Sequence, residues 1–315
     1  EMDNALPVSS LLLISEQQYQ QRAAWNSAVE SDHHLPAPFD ADTVTGWVEA
    51  TPLNGGARRP APAAVCFLGY PTALPEGFPV PDSSGLASGA TPEDAVARAL
   101  HECIERDAVA IWWYNRIRRP SPVFAASPVQ DAFAAWIRQC GRRFWLLDLT
   151  HDLAVPVIAA ISSNDNGADL SLGFGAAATL EDAAFSAMGE LVQFEMTKRH
   201  FPALAPGPYP HLVTWCRSAN IKDHDFLRSD HTARPVAPRP AASALQALGE
   251  SGLGAFAVNL SPADAATATV RVIVPGLRPI WPRFAPGRLY DVPATLGWRE
   301  KPASEMELNP VPILY

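Results

Sequence analysis

The sequence predicts an α+β fold, with mixed sheets and flanking helices built around a strand–loop–helix unit that is used twice. Three observations carry that expectation. The stretch GLASGATPEDAVARALHE, from Gly85 to Glu102, recurs without a gap as GFGAAATLEDAAFSAMGE, from Gly173 to Glu190. Segments of strand and helix character alternate without the regular period of a parallel βαβ fold, which favours antiparallel strands. And 48% of the 315 residues are apolar, enough for a sizeable core.

From the N-terminus, residues 15–29 have the composition of a short helix. WVEATPL and AAVCFLGY read as strands on either side of a turn at Asn54-Gly55-Gly56. Residues 71–81 form a Pro-rich loop. The helix over 91–116 opens with Thr91 as cap, Pro92 at the first helical position and Asp94 three residues after the cap. A helix over 129–141 comes next, then strands over 143–150 and 155–163. Asn164-Asp165-Asn166-Gly167 is a turn. A strand over 170–174 and a helix over 179–200 complete the second copy of the unit. Residues 201–241 are rich in Pro, Arg, His and Asp with weak periodicity, and read as a flexible insertion or lid. A helix over 242–248 and strands over 255–261 and 269–277 follow. The tail, 278–315, reads as irregular.

Composition excludes several classes of function. The net charge is -9 and only 18% of residues are charged, which argues against nucleic acid and against an anionic membrane surface. No apolar run approaches a membrane span, and no signal peptide is visible, so a cytoplasmic protein is expected. The four cysteines, Cys66, Cys103, Cys140 and Cys216, form no CxxC pair and read as reduced thiols. Neither a P-loop motif nor GxGxxG occurs. The histidines offer no Ser-His-Asp or Cys-His arrangement.

The chemistry concentrates on the repeat. Glu102, Glu105 and Arg106 lie at i, i+3 and i+4 and share one helix face, with Arg98 one turn earlier. The opposite face carries Ala95, Ala99, Leu100, Cys103 and Ile104. A solvated Arg-Glu-Arg ladder would give the same pattern. Against it, the helix runs on into Ala108-Val109-Ala110-Ile111-Trp112-Trp113, apolar nearly all round, and buried charges need partners or a ligand. In the second copy Glu190 and Gln193 occupy the places of Glu102 and Glu105. Two convergent acids suit a divalent metal and a polyphosphate. Before the first helix, Asp82-Ser83-Ser84-Gly85 has the small residues an anion-binding loop uses.

SSGLASGATPEDAVARALHECIERDAVAIWW resembles the central signature of the YcaO family, NSNGLAAGNT…ELIERDAVALWW. The likeness continues through WLLDLTHDLAVPVIAA, LGFGAAATLEDAAFSAMGELVQ, VRVIVPGLRPIWPRFAPGRLYDVP and ELNPVPILY. It is strongest to the cyclodehydratase components of thiazole/oxazole-modified peptide pathways. The resemblance implies a YcaO-type fold and an enzyme that uses ATP and magnesium to activate a backbone amide of a ribosomal precursor peptide. A Cys, Ser or Thr of that peptide attacks the preceding carbonyl, and loss of phosphate leaves an azoline. Glu102, Glu105 and Glu190 would then be magnesium ligands, and Ser83, Arg106 and Gln193 would contact nucleotide phosphates or the metal shell. Pro310, Pro312 and Tyr315 belong to the Pro-rich terminus that lies at the family's active site. Implied partners are the precursor peptide, a leader-binding protein or domain, and a second copy in a homodimer. Two other roles fit the same resemblance: a non-catalytic scaffold that binds the precursor peptide or a partner enzyme, and a thioamide-forming activity.

Three departures from the family pattern are visible. The family's earlier ExxER helix has no match in residues 1–46, and 15–22 lacks the second acid, so the chain is expected to be the later part of a YcaO domain. Ser84 stands where Asn is usual. Glu195 stands where Arg often follows E-x-x-Q, and a carboxylate there is expected to repel phosphates.

Overall fold

The computed structural model describes residues 4–29, 33–39, 46–70, 82–123, 128–198, 210–233, 235–237 and 244–313. In chain order they form α1 (Ser9–Leu12), α2 (Glu16–Gln20), α3 (Arg22–Ala28), β1 (Trp47–Pro52), β2 (Arg59–Pro62), α4 (Ala63–Cys66) and β3 (Leu86–Gly89). Then come α5 (Pro92–Asn115), α6 (Pro128–Gln139), β4 (Arg143–Asp148), β5 (Val157–Ser163), β6 (Ser171–Ala176) and α7 (Leu180–Lys198). The last are α8 (Pro210–Ser218), α9 (Ala244–Glu250), β7 (Phe256–Asn259), β8 (Ala268–Ile273) and α10 (Arg288–Thr295). This is the expected α+β class. The chain divides into two compact units, 1–107 with 242–291, and 108–241 with 292–315.

The first unit is built on an antiparallel sheet of order β2-β1-β7-β8-β3. The β1–β2 hairpin turns at Gly55 and Gly56, whose φ values of 83° and 113° lie where L side chains rarely go. Pro60 and Pro62 fall in β2, the edge strand, where a missing N–H costs no ladder bond. Leu6, Ala50, Ala61, Cys66, Phe256, Val258 and Ile273 form its core. The N-terminal helices are tied in by Gln18, which closes a capping box with Ser15 and also bonds Pro282 and Phe284.

The second unit holds the antiparallel sheet β4-β5-β6, with α7 packed across β5 and β6. Every residue of β5 is buried, which explains its apolar run from Val157 to Ile161. Close approach of α7 is a matter of small residues. Ala183, Ala184 and Ala187 face the sheet fully buried, and a Cβ at Gly173 or Gly175 would collide with the α7 backbone.

Most predicted elements are present within a few residues of their expected bounds, and two expectations are corrected, AAVCFLGY and the tail. AAVCFLGY is not a strand: Ala63–Cys66 is one helical turn, with Ala63, Ala64 and Cys66 buried. Packing there overrides the β preference of Val65. Leu86–Gly89, within the first copy of the repeat, pairs with β8 as an edge strand. The irregular tail contains α10, with Pro293 inside it, and a 3₁₀ turn at Glu305–Glu307. Within 201–241 the described residues include α8 and a 3₁₀ turn at Asp225–Leu227, whose Phe226 and Leu227 are buried. Residues 201–209 lie outside the described set.

Candidate functional site

The first copy of the repeat supplies one cluster. Thr91 caps α5 by accepting from the Asp94 N–H at 3.2 Å. The helix buries Ala95, Ala99, Leu100 and Ile104, as its apolar stripe predicts, and turns Glu102, Glu105 and Arg106 to a half-buried face. Glu102 and Arg106 form an ion pair at 3.0 Å with only 24% and 13% of their side chains exposed. Burial pushes the Glu102 carboxyl above the usual glutamate range, opposed by Arg106 and Arg271 and assisted by the Asp82 charge. The carboxylate is therefore poorly hydrated and close to more than one charge.

Asp82 is near enough to the same cluster for its charge to act on Glu102, and that of Arg106 on it. Its Oδ1 accepts from the Ser84 N–H at 2.9 Å and from Arg271 at 3.4 Å, and its Oδ2 accepts from the Trp281 indole N–H. Burial acts to raise its pKa, but Arg271, Trp281, Arg106 and the Ser84 N–H together hold it below the usual range. The loop residues Asp82 to Gly85 were legible as a small-residue approach to the helix. Arg271 and Trp281 were not, because they are distant in sequence and belong to β8 and the segment after it. Ser83 is exposed. Gly85 is forced: its φ is 73°, and a Cβ would meet the Cys103 sulfur and the Val272 carbonyl.

The second copy has the same plan. Gly173 approaches Leu191 as Gly85 approaches Cys103, the equivalent helix position. Glu190 accepts a hydrogen bond from the Phe174 N–H, so its carboxylate is fastened to β6. Gln193 is exposed on α7. The two acids occupy equivalent helix positions but are held differently: the Leu86 N–H, the counterpart of Phe174, donates to the Ser83 carbonyl, and Glu102 pairs with Arg106.

Glu195 corrects an expectation. It does not stand free to repel phosphates. It is buried, bonded to Ser162 Oγ at 2.5 Å and paired with Arg142 at 2.5 Å and Lys198 at 3.5 Å. Arg142 and Lys198 also grip Asp169, and Lys198 donates to Ser171 Oγ at 2.6 Å. Glu195 is a step of five from Glu190, which carries it to another face of α7.

Pro310 and Pro312 follow an anchored residue. Asn309 donates its backbone N–H to the Tyr114 carbonyl at 2.7 Å, and the Val311 carbonyl accepts from Trp113 Nε1 at 2.8 Å. Upstream, the Trp298 ring lies over the buried Arg119 guanidinium at 3.9 Å. Tyr315 lies outside the described residues. All four cysteines are free thiols, and burial pushes Cys66 up to about 11. Among the described residues no helix is long and apolar enough to cross a membrane.

Among the described residues no three His, Cys, Asp or Glu side chains are drawn together as a metal cage. Magnesium does not require one. It keeps several waters and is held by one or two carboxylates plus phosphate oxygens. The desolvated Glu102 carboxylate, a hard oxygen donor whose proton affinity is raised, fits that demand.

A strand–turn–helix unit used twice, with one acid at the equivalent helix position of each copy, is the feature that the fold and the site share. Residues 1–278 match the family described as YcaO cyclodehydratase, ATP- and Mg2+-binding, and the chain belongs to that family. Its fold is that of a heterocyclase solved in complex with substrate and cofactor, with a TM-score of 0.91 and 31% identity over 100% of this chain and 44% of that one. The heterocyclase TruD gives a TM-score of 0.86 and 29% identity over 99% of this chain and 46% of its own. The fold extends to a YcaO from Methanopyrus kandleri, solved with AMPPCP and Mg2+, at 20% identity and a TM-score of 0.58 over 81% of this chain and 73% of that one. A protein of Methanothermobacter thermautotrophicus is 28% identical over 77% of this chain and 68% of its own length. Another, from the tfuA 3' region of Rhizobium leguminosarum bv. trifolii, is 28% identical over 73% of this chain and 60% of its own. The chain spans less than half the length of the two heterocyclases.

Proposed function

We propose that this chain carries the ATP- and magnesium-dependent cyclodehydration of Cys, Ser or Thr residues in a ribosomal precursor peptide. The observation that carries the reading is an acid at the equivalent helix position of each copy of the repeat. Glu102 pairs with Arg106 on α5, and Glu190 is fastened to β6 at the equivalent position of the second copy. Family membership and the likeness to heterocyclases support it.

In this reading Glu102, Glu105 and Glu190 hold magnesium, while Ser83, Arg106 and Gln193 meet phosphate oxygens or the metal's water shell. Bound there, magnesium-ATP would supply the phosphoryl group that converts the amide oxygen into a phosphate leaving group. The chain's own work is positioning and charge. Arg106 balances Glu102, and a planar guanidinium is well suited to phosphate oxygens. The half-buried setting strengthens each of these contacts relative to water. Pro310, Pro312 and Tyr315 would act beside the reacting amide. The precursor peptide, a leader-binding protein or domain, and a second copy of the chain are its proposed partners, and the cytoplasm its proposed location.

The test is mass spectrometry of a Cys-, Ser- and Thr-containing precursor peptide incubated with the protein, its leader-binding partner, ATP and magnesium. The expected product has lost one water per ring. Exchange of an amide oxygen for sulfur would point to thioamide formation. Peptide binding without ATP consumption would point to a scaffold.

A further inference from the structure

We infer that Asp82 is a positioning residue of the nucleotide site, fixing the loop that presents Ser83. The inference rests on the reading above, in which Ser83 meets the nucleotide phosphates.

The loop is clamped from three sides. The Asp82 carboxylate accepts from the Ser84 backbone N–H at 2.9 Å, which closes a tight turn with Ser83 at its tip. Trp281 donates its indole N–H to the other carboxylate oxygen. Arg271 reaches both the Asp82 main-chain carbonyl, at 2.5 Å, and its carboxylate, at 3.4 Å. Strand register makes this reach possible: Arg271 lies directly across from Leu86, at the end of the loop. Gly85 closes the loop from behind, against Val272 and Cys103.

The assignment as a positioning group follows from how these contacts are shared. Both carboxylate oxygens of Asp82 are committed to protein donors, and the side chain is only 22% exposed. Ser83, by contrast, is exposed. A short polar loop held at its base by a carboxylate has less freedom to lose when a ligand binds, which favours affinity. Loss of the clamp should therefore act on nucleotide affinity through Ser83.

The experiment measures magnesium-ATP affinity by calorimetry, and the ATP dependence of turnover, for the full chain with its peptide-modifying partners. Asp82→Asn places an amide N–H against Trp281 or Arg271. It should raise KM and Kd for ATP about ten-fold while kcat changes less than about two-fold. Trp281→Phe keeps the carboxylate and removes one donor, and should shift both in the same direction by less. In a double-mutant cycle, Ser83→Ala should add little to the loss already caused by Asp82→Asn, because both act through one hydroxyl. Trp281→Phe in the same cycle decides the matter if Asp82→Asn does not fold. Losses that add fully in the cycle, or affinities for both clamp variants within about two-fold of wild type while Ser83→Ala weakens binding, would overturn the inference and leave the proposed function standing. Equal affinity of wild type and Ser83→Ala would remove the nucleotide contact itself, and the inference with it.

Discussion

Trp113 donates its indole N–H to the carbonyl of Val311 at 2.8 Å, so the side chain that closes α5 holds the Pro-rich terminus. Asn309 adds two further ties, from its backbone N–H to Tyr114 and from its side chain to the Trp113 carbonyl. Trp113 itself is fully buried among Trp112, Trp215 and Phe226. Pro310 and Pro312 supply no N–H, so the chain between them depends on these few neighbouring bonds. Trp113→Phe removes the donor and leaves a gap beside the tail. The expected cost is about 1–3 kcal/mol in urea unfolding. Residues beyond 308 should also be cleaved faster under limited proteolysis.

Glu102→Gln should abolish magnesium-dependent ATP turnover without lowering stability at neutral pH. Its carboxyl is raised by burial more than Arg106 and Arg271 lower it. For an acid whose folded pKa lies above its unfolded value, the folded state favours the protonated form. The cost of ionisation is absent below the unfolded pKa and sets in as pH rises through the folded pKa. The neutral amide escapes that cost, so the variant should match wild type in acid and equal or exceed it at pH 7. Thermal unfolding across pH 4 to 8 reads this, and a variant less stable than wild type at neutral pH would count against the assignment of Glu102 as a strained site acid.

The acid positions and their helices were legible because the repeat aligns without gaps and each copy carries its own cap. Thr91 and Thr179 both accept from the residue three positions on, as their spacing predicts. What the sequence hid is long-range. Asp82 meets Arg271 and Trp281, and no local pattern announces partners that far away. Glu195 looked like a charge aimed at phosphates because only its distance from Gln193 was visible. Its burial and its partner Arg142, at the start of the sheet, were not. In the tail, Pro293 masked α10, since a proline after the first turn argues against a helix.

Glu195→Ala should destabilise the protein strongly and leave magnesium-ATP affinity unchanged. The carboxylate offsets Arg142, whose side chain is 9% exposed, and it also bonds Ser162. Removing one partner from a buried pair costs about 3–5 kcal/mol, because the other charge is left without compensation. Asp169 shares Arg142 and Lys198 and should reduce the loss toward the lower end of that range. Urea unfolding reports the first effect and calorimetry the second. A large loss of nucleotide affinity in a folded variant would restore Glu195 to the site.

Gly173→Ala tests whether the strand–helix contact sets the place of Glu190. The glycine faces the α7 backbone at Ala187 and Leu191, where a methyl group has no room. Backbone atoms cannot rotate away as a side chain would, so α7 must shift or tilt. Overpacking of this kind costs about 1–3 kcal/mol. Glu190 lies one residue before Leu191 and is fastened to Phe174, one residue after Gly173, so the same shift stretches that hydrogen bond. The variant should lose stability and magnesium-dependent ATP affinity together. Gly189→Ala, on the same helix but facing open space, should lose neither, and by favouring helix it should gain up to about 1 kcal/mol. If Gly173→Ala bound magnesium-ATP as wild type does despite the loss of stability, the position of Glu190 would not depend on this packing, and its place at the site would have to be argued from α7 alone.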